Sequence, residues 1–294
     1  MSYNSHTSTL FHYTKSIKSL MSIIKEGFRY SYSKEAIGEG KYIGIPMISF
    51  CDIPISRSVE HMSKYGRYAI GIDKDFLIEQ TASNIAPVTY YLNDEQMNAA
   101  LALKTVCSEY DSKIKEEFNK ISSGSKQITV KIDGLEGEWS GPLFEDKDIS
   151  AGTKAFMMNI QKDNYNRYAN SIIGYMKPYY MFRNGHKQIN YDECEWRSVL
   201  PDKSHYRAIS YNWIWENYDE WRSSVKNKFV EGPPLLCLTE KAVRYIIVRK
   251  EKDCEKLIEK INNLHVFSGK KIDDRIKSSL CSKIISFEHM NKDF

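Results

Sequence analysis

Tyr191-Asp192-Glu193-Cys194-Glu195-Trp196-Arg197-Ser198-Val199-Leu200 reads as an extended strand, and what surrounds that strand decides the kind of sheet this chain builds. Alternation puts Glu193, Glu195 and Arg197 on one side, so two carboxylates and a guanidinium share a face. Cys194, Trp196 and Val199 indicate that the strand also packs against a core, where acids need a partner or a task. The row is compatible with a solvated edge and equally with a site built from clustered titratable groups.

Upstream, residues 10–14 form a short strand, and Thr14 or Ser16 can cap a helix whose apolar positions Ile17, Leu20, Met21 and Ile24 keep helical spacing until Gly27 stops it. After a polar, glycine-containing stretch at 31–44, the pattern predicts a buried strand at 45–50, a short helix at 58–64, a strand at 68–72 and an extended run at 88–92 opened by Pro87. Residues 94 to about 121 are helical in pattern, Met97, Ala100 and Leu101 leading into a charged half that Ser122-Ser123-Gly124-Ser125 ends. A strand at 128–132, a long loop at 134–152 and a helix at 153–175 follow, the helix stopping before Pro178. Beyond the strand at 193–200, an aromatic and charged run at 211–228 leads to Gly232-Pro233-Pro234. A strand at 235–238, a short helix from Glu240, a strand at 245–248 and a helix at 250–263 make a β-α-β-α tail. The expectation is a single α+β domain over residues 1–294 with a mostly helical insertion at 94–180.

A net charge of +4, with lysines scattered among acids, leaves no electrostatic footprint of a dedicated nucleic-acid binder. The 20 Tyr and 5 Trp supply rigid stacking surface for a nucleotide or a partner as readily as for a core. Cys51, Cys107, Cys194, Cys237, Cys254 and Cys281 stand far apart without metal-ligand spacing, so they read as reduced, mostly buried thiols, and no metal is expected. The first nine residues lack the basic start and apolar run of a signal peptide, and no apolar run approaches the roughly 18 residues of a membrane span. A cytoplasmic protein without membrane attachment is expected.

Three constellations carry possible chemistry. His12 and Thr14 share a face of the first strand just before a helix start, where they can clasp a ribose or amide, or His12 can fill a structural role. In Pro46-Met47-Ile48-Ser49-Phe50-Cys51-Asp52-Ile53-Pro54 a strand carries a hydroxyl and ends in a carboxylate that can cap the following turn. Between His61 and Ile72, Tyr65 and Tyr68 flank Gly66, a candidate helix cap, while Gly71 inside a strand signals close approach by a backbone or a ligand. The Walker, dinucleotide-fold, zinc-protease and serine-hydrolase motifs are missing from the chain.

Taken together, Leu10-Phe11-His12-Tyr13-Thr14, the 46–54 segment, the 61–72 segment, Ala86-Pro87-Val88-Thr89-Tyr90-Tyr91 and Glu193-x-Glu195-Trp196-Arg197 resemble, in order and spacing, the AbiGi family of bacterial abortive-infection proteins. That resemblance implies phage defence as the antitoxin of a two-gene system, with a nucleotidyltransferase-like toxin as partner. More distantly, the chain resembles the ADP-ribosyltransferase superfamily, which implies a mixed or antiparallel sheet core and NAD as substrate without a metal. In that resemblance His12 holds the NAD ribose, Tyr65 or Tyr68 stacks on nicotinamide, and Ser49 supports the catalytic acid. Glu195 engages the ribose 2′-OH and Glu193 orients a protein or nucleic-acid acceptor, with Tyr13, Thr14 and Arg197 also placed at the cofactor. Ser49-Phe50-Cys51 departs from the Ser-Thr-Ser of one branch. Two functions follow as expectations: ADP-ribose transfer in phage defence, or a non-catalytic antitoxin whose aromatic 211–221 surface binds a toxin.

Overall fold

The computed structural model describes residues 7–36, 42–55, 59–81, 84–119, 127–131, 138–142, 146–183, 185–200, 212–214 and 235–293. They divide into two compact units, one of residues 1–94 and 174–294, the other of residues 95–173.

The first unit is built on a mixed sheet of nine strands: β1 (Thr9–Thr14), β2 (Ser31–Ala36), β3 (Tyr42–Cys51), β4 (Tyr68–Asp73), β5 (Ile85–Pro87), β6 (Glu195–Val199), β7 (Asn212–Ile214), β8 (Val243–Val248) and β9 (Ile284–Ser286). Its main order is β9-β8-β4-β1-β3-β6-β5, with β2 and β7 also paired to β3. Among the described residues its strands pair antiparallel, except β8 with β9. Helix α1 (Ile17–Glu26) takes Ser16 as its N-cap, the hydroxyl accepting the Ser19 N–H at 3.1 Å, and buries Leu20 and Ile24. These join Leu10, Phe50, Ile70, Ile72, Ile246 and Val248 in the main core, which α6 (Glu251–Asn262) closes with Leu257 and Ile261. A smaller core of Phe11, Met62, Ala69, Ile247 and Met290 includes residues of α2 (Val59–Tyr65) and α8 (Phe287–Asp293). Helices α3 (Lys74–Gln80) and α7 (Asp274–Cys281) also belong to the unit. The second unit holds most of α4 (Asp94–Asn119), α5 (Asp146–Ile173) and the hairpin Gln127–Lys131/Glu138–Pro142, and the rings of Tyr110 and Tyr165 lie 5.8 Å apart between its helices.

Several expectations give way. The polar stretch at 31–44 contains β2, which pairs with β3 from Ser31↔Met47 to Ala36↔Tyr42, because a strand can be polar where its neighbour is apolar. The expected loop at 134–152 contains a strand at Glu138–Pro142 and the first turns of α5, whose interior tolerates Gly152. The expected helix from Glu240 is a turn closed by the Ala242 N–H on the Thr239 carbonyl. Asp52 accepts the Thr7 hydroxyl at 2.7 Å and pairs with Lys74 at 2.7 Å, while the turn at 56–58 that it was expected to cap lies outside the described residues. The close neighbour at Gly71 is the Phe11 ring, 2.7 Å from where a Cβ would stand. Cys51 is buried, whereas Cys194 and Cys237 are exposed, which corrects the reading of mostly buried thiols.

Candidate functional site

β3 sets the geometry. On one edge it meets β2 along 42–47 and then β1 only at Cys51, opposite Phe11, while β6 follows its other edge without a break from Met47 to Cys51. β1 instead pairs with β4 over six successive residues, so a gap opens beside Ile48, Ser49 and Phe50. A side chain spans that gap: His12 Nδ1–H donates to the Ser49 carbonyl oxygen at 2.8 Å. The carbonyl can only accept, so the proton sits on Nδ1 and Nε2 keeps its lone pair. Burial lowers the His12 pKa against the opposing pull of this hydrogen bond, which favours the neutral ring.

Two cavities border the gap, and His12, Ser33 and Ser49 line both. The smaller, about 280 Å³, is also walled by Tyr13, His61, Tyr65, Lys177, Glu193 and Glu195. The other, about 580 Å³, runs toward α1 past Thr14, Lys18, Ser19, Ser22 and Arg29. A cavity of about 860 Å³ lies elsewhere, floored by Phe11, Tyr245, Ile285 and Met290; of the predicted site residues it contains none, so volume and chemistry point to different places.

The acids sit in an ion-pair network. Arg197 is 0% exposed; its Nε donates to Glu195 Oε1 at 2.8 Å, its Nη2 to Glu35 Oε2 at 2.6 Å, and its Nη1 to the Gly174 carbonyl at 3.2 Å. Lys177 Nζ bridges the two predicted acids, 2.6 Å from Glu193 Oε2 and 2.8 Å from Glu195 Oε2. Glu193 Oε1 accepts from Lys64, the Tyr65 hydroxyl and, at 3.2 Å, the Gln188 amide. The Glu195 N–H in turn donates to the Tyr90 hydroxyl at 3.1 Å.

Burial alone would raise the Glu195 pKa, but Arg197 and Lys177 overrule it and hold the group down at about 2. Glu193 is likewise lowered, burial opposing and Lys177, Lys64 and Tyr65 prevailing. Burial would lower Lys177, yet Glu195, Glu35 and Glu193 raise it. Burial first, then Glu193, pushes the Tyr65 hydroxyl up. Glu193, Glu195, Lys177 and Arg197 are therefore charged near neutrality, while the Tyr65 hydroxyl keeps its proton.

The expected strand at 193–200 is shorter than its pattern. Tyr191–Glu193 form a 3-10 turn, Cys194 takes the left-handed conformation at φ 42° and ψ 47°, and β6 begins at Glu195. Alternation holds for Glu195 and Arg197, while Glu193 reaches the network from the turn. His12, Tyr13, Ser49, Tyr65, Glu193 and Glu195 border one cavity; Thr14 borders the neighbouring one. Tyr68 borders neither and donates to Asp253 at 3.3 Å, and Arg197 is wholly occupied by acids and carbonyls. Lys177, Lys64, Glu35 and Gln188 escaped the sequence reading as site residues: Lys64 only closes the expected helix at 58–64, Lys177 only precedes the Pro178 that stops the second helical stretch, and Glu35 and Gln188 lie in polar sequence without a periodic signal. The aromatic 211–221 surface lies outside the described residues except for the backbone of β7.

Among the described residues no group of three His, Cys, Asp or Glu could hold a metal ion, and no helix is long and apolar enough to cross a membrane. No curated protein and no solved structure matches the chain. A family model described as "Putative abortive phage resistance protein AbiGi, antitoxin" matches residues 23–277, taking in four of the five sequence motifs and starting just after the strand that bears His12. With that span covering most of its length, the chain belongs to the AbiGi family.

Proposed function

We propose that this protein acts in phage defence by binding, as a cytoplasmic antitoxin that neutralises a partner toxin, and that its charged cluster shapes the fold instead of performing chemistry. The saturation of the acid pair carries this reading. All four carboxylate oxygens of Glu193 and Glu195 accept from Lys64, Tyr65, Lys177, Gln188 or Arg197, and an acid tied down in this way is a poor proton acceptor. The family's description as an antitoxin agrees.

A second reading, ADP-ribose transfer from NAD, is favoured by one observation: His12, Ser49, Tyr65 and both acids face a single cavity where the sheet parts. In that reaction the bond from the ribose C1′ to nicotinamide breaks, nicotinamide leaves with the electron pair, and Glu195 stabilises the cationic ribose. An acceptor on protein or nucleic acid then attacks C1′ and yields its proton to Glu193. The cavity of about 280 Å³ suits the nicotinamide riboside end, and the remaining nucleotide would extend into the 580 Å³ cavity past Lys18.

Co-expression with the adjacent toxin gene separates the two. Under the binding reading, Glu195→Gln and His12→Ala both still restore growth, provided circular dichroism shows them folded. Under the transfer reading, purified protein releases nicotinamide from NAD, and Glu195→Gln slows release by at least about a hundredfold. Growth rescue that vanishes with nicotinamide release in both variants would overturn the binding reading.

A further inference from the structure

We infer that the outward face of α5 joins two copies of this chain, the two helices running in opposite directions about a two-fold axis beside Asn164. Phe156, Ile160, Asn164, Tyr168 and Ile172 follow one another at four-residue spacing, so they form a single ridge along the helix. Its four apolar members stand in the open, Phe156 63%, Tyr168 57%, Ile172 44% and Ile160 41% exposed, and Met157 beside them is 53% exposed. The helix is buried on its other side, at Ala155, Ala169 and Ile173, where the Tyr165 ring also meets Tyr110. The ridge thus adds little to the core of its own unit, and a run of large apolar groups left in water marks an interface.

The spacing names the occupant. The ridge reads alike from either end, with an apolar group four and eight residues to each side of Asn164. A half-turn about that residue therefore lays Ile160 of each copy against Tyr168 of the other, and Phe156 toward Ile172, the self-matching contact that a two-fold dimer needs. One amide in the middle of an apolar seam fixes its register. The ridge carries no charge; of the two adjoining rows one is uncharged and the other holds one charge of each sign, Asp163 and Arg167, so opposed copies meet without net repulsion. The five apolar side chains leave roughly 500 Å² open on each copy, so pairing removes about 1,000 Å² in total, the lower bound for a specific dimer. A foreign partner would impose no such symmetric order, which favours a second copy over the toxin as the occupant.

Sedimentation of the full chain in the ultracentrifuge tests this, a dimer being expected at tens of micromolar protein. Ile160→Lys and Tyr168→Glu each alter an exposed side chain, so folding is expected to survive and is checked by melting temperature. Each should weaken self-association by about tenfold or more, whereas Phe182→Ser, an exposed aromatic of the first unit, should change it by less than about twofold. Because position 160 of one copy faces position 168 of the other, an equal mixture of the two α5 variants should recover dimer, one lysine meeting one glutamate. A dimer that both variants keep overturns the proposal, and variants that dissociate yet fail to recover on mixing overturn the opposed arrangement. A monomeric wild type also overturns it; loss of toxin binding in Ile160→Lys would then assign the face to the toxin.

Discussion

Arg197 is wholly buried, so bulk solvent does not reach it to stand in for a lost partner. Removing it leaves Glu35 and Glu195 facing each other's charge without their guanidinium, so Arg197→Met is expected to cost about 3–5 kcal/mol, measured as a shift in urea midpoint. The acid limb of stability should report the same network. The Glu195 pKa falls from its ordinary 4.5 to about 2 on folding, so its contribution is complete above about pH 4.5 and drains away between there and pH 2. Glu193, shifted the same way, adds to that loss. Denaturation followed from pH 6 to pH 2 should therefore show a falling midpoint, and Glu195→Gln should flatten part of the fall while lowering the plateau. Cys194 poses the opposite case, a side chain held at φ 42° and exposed. Cys194→Gly should be neutral or stabilise by up to about 1 kcal/mol in the same assay, because glycine adopts this conformation without the Cβ penalty.

At the scale of elements, Gly66 ends α2 with its N–H on the Met62 carbonyl, at φ +127° and with the Thr14 carbonyl oxygen 2.0 Å from where a Cβ would lie. Gly66→Ala should destabilise by about 2 kcal/mol or more and lower the melting temperature, since neither the turn nor β1 can withdraw. That cap was legible in the sequence, as were α1, whose apolar spacing and Ser16 cap agree, and β3, whose apolar run signals burial on both faces. β2 was not, because its residues are polar and its place is dictated by β3. The 3-10 turn before β6 was hidden too: residue types alternate through Cys194 as they would in a strand, and only the backbone shows the reversal. Of the site, the acids and the histidine stood out by residue chemistry, while Tyr65 entered only through the ADP-ribosyltransferase resemblance, as an alternative to Tyr68. Arg197 was legible beside the acids, but the other cations, Lys64 and Lys177, come from α2 and from the 176–178 strand, joined only by tertiary packing, which no local pattern encodes.

For the molecule as a whole, contacts gather into two units, and the strands Thr89–Tyr91 and Met176–Pro178 pair in parallel within the first. Replacing residues 95–173 with a short Gly-Ser linker should leave the nine-strand unit able to unfold cooperatively, seen as a single calorimetric transition. Two transitions in the intact chain collapsing to none in the shortened one would contradict this. The tie between Glu35 and Arg197 crosses 162 residues of sequence, and β6 covers the β3 edge from Met47 to Cys51. During synthesis that edge must wait, at bacterial elongation speeds of about 5–20 residues per second, for many seconds before its neighbour leaves the ribosome. The half-made protein is thus vulnerable to sticking to other nascent strands, and any interruption of translation before residue 197 would strand it in that state, unable to protect its host.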